Sequence, residues 1–247
     1  GGAFFIMASI SVITPAFSTF KSMIPFITPY HLDDEFAQID RWLHFGIDPW
    51  RLLHPIIGYP PITFIINFCY NLWFTVLYMV WLYFALDSEK PYLRMRLFVT
   101  SLMVWIFLGN GAALLLSSAG PVYYARVLGL DSSPYDALMQ YLHASDNTIF
   151  KVWALNIQQI LWDRYLEFNT ELGSGISAMP SMHVSMVVLF CFALRQRSRI
   201  FYRLMLIYTT IIMIGSVHLA WHYAVDGYLG AFLTWILWRV AGKVLKF

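Results

Sequence analysis

Charged side chains are scarce in this chain. Asp, Glu, Lys and Arg make up 12% of its 247 residues and hydrophobic types 59%, against roughly a quarter charged and half apolar in an ordinary soluble domain. That balance excludes a conventional soluble domain. Cysteine is nearly absent too. Cys69 and Cys191 both sit in apolar runs with no metal-ligand spacing between them, which excludes a disulfide framework and a cysteine-based zinc site. There is no surplus of positive charge, since the formal net charge is only +2, so nucleic acid is not an expected partner. Internal repeats, low-complexity tracts and a recognisable secretory signal are also lacking.

What the chain has is apolar length. A bilayer core about 30 Å thick needs roughly 20 mostly apolar residues per helical span. Segments near 3–26, 61–86, 96–118, 182–196, 204–222 and 224–242 are read as spans. Lys90, Arg94 and Arg96 follow the second, Arg195, Arg197, Arg199 and Arg203 the fourth, and Arg239, Lys243 and Lys246 the last. With six spans, all three basic clusters fall on one side, which the positive-inside rule makes cytoplasmic together with both chain ends. Residues 27–60, 119–181 and the turn near 223 then face outward. They carry Trp42, Trp50, Trp153 and Trp162, as segments lying in the membrane interface do. In 140–167 apolar residues recur at helical spacing, predicting an interfacial helix. The Pro and Gly cluster from Gly46 to Pro61 reads as the approach to the second span. The expectation is an all-α integral membrane protein of six transmembrane helices, with interfacial helices in the outer loops.

Two polar motifs open onto that outer face: Ser177-Ala-Met-Pro-Ser-Met-His183, at the start of the fourth span, and Gly215-Ser-Val-His-Leu-Ala-Trp-His-Tyr-Ala-Val-Asp226, between the fifth and sixth. Ionisable groups at membrane depth are expensive and mark functional sites. His222 and Asp226 are four apart, one helical face. A carboxylate on one ring nitrogen fixes the tautomer and leaves the other nitrogen to attack phosphorus. His183 is placed to protonate a departing alkoxide. Ser181 and the N–H groups that open the helix at Met182 and His183 suit anionic phosphate oxygens.

Pro180-Ser-Met-His183 followed by His222-x-x-x-Asp226 resembles the two best-known motifs of the type 2 phosphatidic acid phosphatase superfamily. Asp40-Arg-Trp-Leu-His-Phe-Gly-Ile-Asp-Pro49 and Ser118-Ala-Gly-Pro-Val-Tyr-Tyr124 look like segments of its inositol phosphorylceramide synthase branch. The resemblance covers most of 40–230 and implies a single membrane domain over residues 1–247. Departures are informative. Phosphatase members usually have Gly where Met182 stands, a Lys motif ending in Arg-Pro that is not evident here, and Ser-Arg where Gly215-Ser216 stands. The missing cations favour the synthase branch, and Arg126, just beyond Tyr123 and Tyr124, is the candidate replacement because a guanidinium suits bidentate phosphate contact. An interfacial snorkelling role is the equal alternative for it.

Blander readings compete. His31, His44, His54 and His143 are read as structural, and Asp33-Asp34-Glu35 as a solvated acidic turn. His218, His222 and Asp226 also match a metal spacing. Phosphoryl chemistry is preferred, with His218 supporting or lining the site and no metal or cofactor expected. A transporter relaying protons is the reading from another class, but inverted repeats are not seen. The resemblance implies an enzyme that moves a phosphorylated headgroup, such as inositol phosphate, from a phospholipid donor to a lipid alcohol through a phosphohistidine. The alternative is a lipid phosphate phosphatase. In either case the site faces the extracytoplasmic side.

Overall fold

The computed structural model describes residues 2–167 and 175–245; Lys246 and part of the second outer segment, 168–174, lie outside the described residues. Among the described residues the chain is helical, with no strand. The first helix, α1, is Gly2–Ile27, followed by α2 (Asp33–Leu43), α3 (Pro49–Ile57), α4 (Pro60–Asn71) and α5 (Trp73–Leu86). Helix α6 (Pro91–Met103) runs on through a π-helical stretch, Val104–Ala112, to Leu115. Then come α7 (Tyr124–Leu128), α8 (Asp136–Asp146), α9 (Trp153–Leu166), α10 (Met182–Arg195), α11 (Arg199–His218) and α12 (Ala224–Val244). Their starts follow local chemistry. Proline opens α3, α4 and α6, where its missing N–H costs nothing. Ser181 and Ser198 cap α10 and α11 through their hydroxyls.

Three described helical segments are long and apolar enough to cross a membrane: Ala8–Ile27, Pro91–Leu115 and Arg199–His218. Together with the wide apolar surface they mark a membrane-embedded helical protein. The expected span 61–86 is divided at Leu72 into α4 and α5, and α3 and α4 meet at 117°. Two consecutive prolines prevent α4 from continuing α3 straight through Gly58 and Tyr59. The interfacial helix expected over 140–167 is two helices, α8 and α9, parted by residues 147–152. Helix α10 has 14 residues, about 21 Å at 1.5 Å per residue, short of a bilayer core. It lies at the centre, largely apolar and mostly buried, packed against α11, α12, α6 and α5. Large apolar side chains such as Ile65, Phe74, Met79, Ile106, Phe107, Leu204 and Phe232 are exposed on the outside, the pattern expected where lipid is the solvent.

The basic clusters meet at one end. Arg197 pairs with Asp87 at 2.7 Å and with Glu89 at 2.8 Å, and Lys90 donates to the Gln196 carbonyl. Burial alone would raise the Asp87 carboxyl, but the Glu89 N–H and the Arg197 guanidinium outweigh it and hold the group below its ordinary value. Arg96 lies 4.0 Å over the Trp238 ring and donates to the Trp238 carbonyl at 2.6 Å, tying α6 to the last turns of α12.

Candidate active site

At the opposite end, the two polar motifs are bonded directly to each other. The Ser181 N–H donates to the Asp226 carbonyl at 3.1 Å, so the start of α10 and the start of α12 are held together. Gly230 permits the approach, since a Cβ there would lie 2.7 Å from Ser185 Oγ and 3.0 Å from the Ser181 carbonyl. His222 Nδ1 lies 3.1 Å from Asp226 Oδ2. This pair does not form on a helix face. His222 precedes α12, and Asp226 stands in its first turn, where the same oxygen also accepts the Tyr223 N–H at 3.1 Å. The carboxylate therefore caps the helix and holds the imidazole at once. The His183 ring lies 6.2 Å from that of His222, stacked on Tyr70 at 4.7 Å and against Trp73 at 4.4 Å. Trp73 also donates its indole N–H to the His183 carbonyl at 3.1 Å.

Both imidazoles line a cavity of about 520 Å³, walled mainly by aromatic and apolar side chains from α1, α4, α5, α6 and the outer segments. Lys21, from α1, lines it too, the one Lys or Arg among the described residues that does so, and its charge acts on both rings. Two polar motifs are thus joined end to end, with a carboxylate-held histidine and a second histidine lining one cavity. A comparison with protein families aligns residues 34–240 with the PAP2 superfamily. The chain belongs to that superfamily. No curated protein and no solved structure matches it. Membership in the PAP2 superfamily suggests phosphatase or phosphotransferase action on lipid phosphates.

The other expected site residues of this PAP2 protein divide into two groups. Met182 and Tyr123 line the cavity. Tyr123 donates its hydroxyl to the Gln158 carbonyl at 2.8 Å and stacks on Trp162. Ser181 is wholly buried, and its hydroxyl accepts the Val184 N–H. Tyr124 donates to Asp34 at 2.6 Å. Arg126 donates to Gln159 at 3.3 Å and lies 5.4 Å over the Trp162 ring, outside the cavity lining. His218 closes α11, and the backbone reverses beyond it at Ala220, φ 59°. Its Nε2 lies 2.9 Å from Thr63 Oγ1, beside Tyr141 and His54, and it is not part of the lining of the His222 cavity. The helical i, i+4, i+8 face required for metal spacing is not formed, and among the described residues no group of three potential ligands is placed to hold a metal.

Helix α2 supplies two carboxylates that sequence reading assigned no role at the site. Asp33 is fully buried, accepting the Ala119 N–H at 2.9 Å, the Gly120 N–H at 2.8 Å and the Tyr223 hydroxyl at 2.8 Å. Burial raises its carboxyl above the ordinary value, while the two backbone donors and Tyr223 pull it down. Gly120 sits at φ 101°, and a Cβ there would lie 2.6 Å from the Trp221 carbonyl, so only glycine lets this turn rest on the His222 loop. Asp40 accepts the Ala224 and Val225 N–H groups at 2.7 and 2.8 Å, capping α12 from outside. The acidic turn thus faces inward: Asp33 is buried and Asp34 is bonded to Tyr124, leaving Glu35 exposed. Periodicity over α2, with Asp33, Phe36, Ala37 and Asp40 on one buried stripe, is the signal that could have found it. Lys21 could have been found as the one lysine within the first apolar run, since an ionisable group there is a site hypothesis by default.

Proposed function

We propose that this protein is a lipid phosphotransferase of the inositol phosphorylceramide synthase type, moving a phosphorylated headgroup such as inositol phosphate from a phospholipid donor to a lipid alcohol. The observation that carries the reading is the His222–Asp226 pair opening, beside His183 and Lys21, onto one largely aromatic cavity. Asp226 holds Nδ1, and Nε2 attacks phosphorus. The bond from phosphorus to the diacylglycerol oxygen breaks as His183 gives that oxygen a proton, leaving a phosphohistidine and free diacylglycerol. His183, now neutral, takes the proton of the acceptor alcohol, whose oxygen attacks phosphorus and releases His222. The Met182 and His183 N–H groups that open α10 and the Lys21 ammonium hold the phosphate oxygens, Lys21 taking the part assigned from sequence to Arg126.

Six membrane crossings, with the basic end in the cytoplasm and the histidines toward the outside, complete the proposal. The meeting of Lys90, Arg96 and Arg197 with their partners at one end supports it. An apolar, aromatic cavity suits a second lipid better than open access for water. Purified protein given phosphatidylinositol and ceramide is expected to make more inositol-phosphorylated ceramide than free phosphate or free inositol phosphate, and His222→Ala to make neither. If hydrolysis dominates across a broad panel of acceptor alcohols, the transferase reading falls and a lipid phosphate phosphatase replaces it.

A further inference from the structure

A second cavity, of about 270 Å³, lies deeper along α1, between that helix, α5 and α6. Ile6, Ile10 and Ile13 form one wall, Trp81, Phe98 and Leu102 the other. Thr14 and Trp105 line both this cavity and the one that holds the histidines, so the two adjoin at that pair. The junction is fixed by ring packing. Trp105 lies 4.5 Å from the Phe17 ring and 5.6 Å from that of Trp81, with its indole N–H on Met186 Sδ. It stands in the π-helical stretch of α6, whose wider turn lets Gly109 approach Phe17 so closely that a Cβ would lie 2.4 Å from the ring. Two polar side chains of the groove are turned into its walls: Thr14 donates to the Ile10 carbonyl at 2.8 Å, and Ser101 accepts the Trp81 indole N–H at 3.3 Å. The rest of the lining is largely hydrocarbon, and Lys21 stands beyond Thr14 on α1, in the adjoining cavity.

Resting on the functional reading above, we propose that this groove holds one hydrocarbon chain of the phosphorylated lipid whose phosphate lies between Lys21 and His222, and that it sets the enzyme's chain-length preference. The length is enough for a chain that runs the depth of one leaflet. From Lys21 to Ile6 along α1 is about 22 Å at 1.5 Å per residue, somewhat more than the roughly 15 Å that one leaflet contributes to a bilayer core of about 30 Å. A chain gains little by moving from lipid to an apolar groove, because lipid tails are as apolar as leucine. Selection therefore comes from shape, and a side chain that plugs the groove discriminates against long chains while sparing short ones.

The test uses full-length protein in nanodiscs. Phosphatidylinositol and phosphatidate, each bearing a diazirine on one acyl chain, are irradiated with the wild type, Ile13→Trp and Leu102→Trp, and adducts are mapped by mass spectrometry. Adducts are expected in 6–14 and 98–105 of the wild type and should be lost in both variants. Turnover of palmitoyl donors relative to butyryl donors should fall about tenfold in each variant, a loss typical of an altered apolar pocket, while butyryl turnover persists. The groove proposal is overturned if neither lipid labels those segments, or if a diazirine fatty acid methyl ester, which has a chain but no phosphate, labels them equally. It is also overturned if plugging leaves the chain-length ratio unchanged in an active enzyme. Phosphate-dependent groove adducts without any turnover of these donors would uphold the groove and sink the transferase reading; turnover without groove adducts would do the reverse.

Discussion

Asp33 and Tyr223 lie 190 residues apart in sequence and share a hydrogen bond of 2.8 Å, the phenol donating to the carboxylate. The same carboxylate holds the Ala119 and Gly120 N–H groups, so one side chain joins α2, the Gly120 turn and the residue next to His222. In Asp33→Asn the amide can turn its oxygen toward only part of this set, and each buried N–H left without an acceptor costs about 1–3 kcal/mol. The variant is expected to unfold at lower temperature in detergent and to lose about tenfold or more of its donor turnover. Asp34→Asn, which disturbs the Tyr124 contact, serves as the control and should retain most activity. Equal behaviour of the two would remove Asp33 as a positioning residue.

Local motifs made the histidine pair and Asp226 legible, because a helix start and a four-residue spacing are written in consecutive residues. Sequence suggested one helical face, whereas His222 lies ahead of α12 and reaches Asp226 through the first turn of the helix. Helix content was legible for the same local reason, while the breaks at Leu72 and over 147–152 depend on packing. Asp33 and Lys21 carry weaker sequence signals, the α2 periodicity and a lone lysine in an apolar run, and their contacts form only in three dimensions. An acidic turn is usually solvated, and only the arrival of Gly120 and Tyr223 makes this one buried. Arg126 follows Tyr123 and Tyr124 in sequence, and its contacts with Gln159 and Trp162 come from α9, which sequence neighbours do not reveal.

His222→Ala and Asp226→Asn should both fold and both lose turnover, the first by roughly three orders of magnitude or more, the second by somewhat less. Acid-labile and base-stable label from a radioactive donor phosphate should appear on the wild type and be absent from His222→Ala. Label retained on that variant would move the nucleophile elsewhere, with His183 the first candidate.

Burial pushes the Asp40 carboxyl from 3.8 up to about 6, against the Ala224 and Val225 donors that pull it down. A folded-state value above the unfolded one means that the folded protein keeps the proton longer. This contribution to stability is fully present below 3.8 and is lost as pH rises through about 6. Asp40→Asn has no such step. The Tm of the wild type minus that of the variant should therefore fall as pH rises through that window and stay level above it. A difference constant across the window would show an ordinary carboxyl at Asp40.

Orientation is open to direct labelling. The Ala178 end of the chain lies with the histidines, and residue 198 lies beside the Arg197–Asp87 contact at the basic end. Single cysteines at Ala178 and Ser198, in a background lacking Cys69 and Cys191, should differ in intact cells. An impermeant thiol reagent should reach the first from outside and the second only after permeabilisation. Because Ala178 is buried, Ser177, which lines the cavity, provides a second position on the same side. The opposite labelling pattern would place the histidines in the cytoplasm.

The last prediction separates the two candidate phosphate cations. Lys21 lines the cavity with both imidazoles, whereas Arg126 is engaged by Gln159 and by the face of Trp162. A cation that meets developing negative charge on phosphorus acts mainly in the transition state, so removing it lowers kcat/KM more than it weakens donor binding. Lys21→Met is expected to reduce kcat/KM by about a hundredfold, and Lys21→Arg to recover part of that loss because the charge is kept while its geometry changes. Arg126→Met removes an exposed contact and should stay within about fivefold of wild type. Since Lys21 lies in an apolar helix, insertion and folding of each variant are checked by its thermal transition in detergent before rates are compared. Should Arg126→Met abolish turnover while Lys21→Met leaves it intact, the donor phosphate sits toward Trp162 and the assignment of Lys21 is wrong.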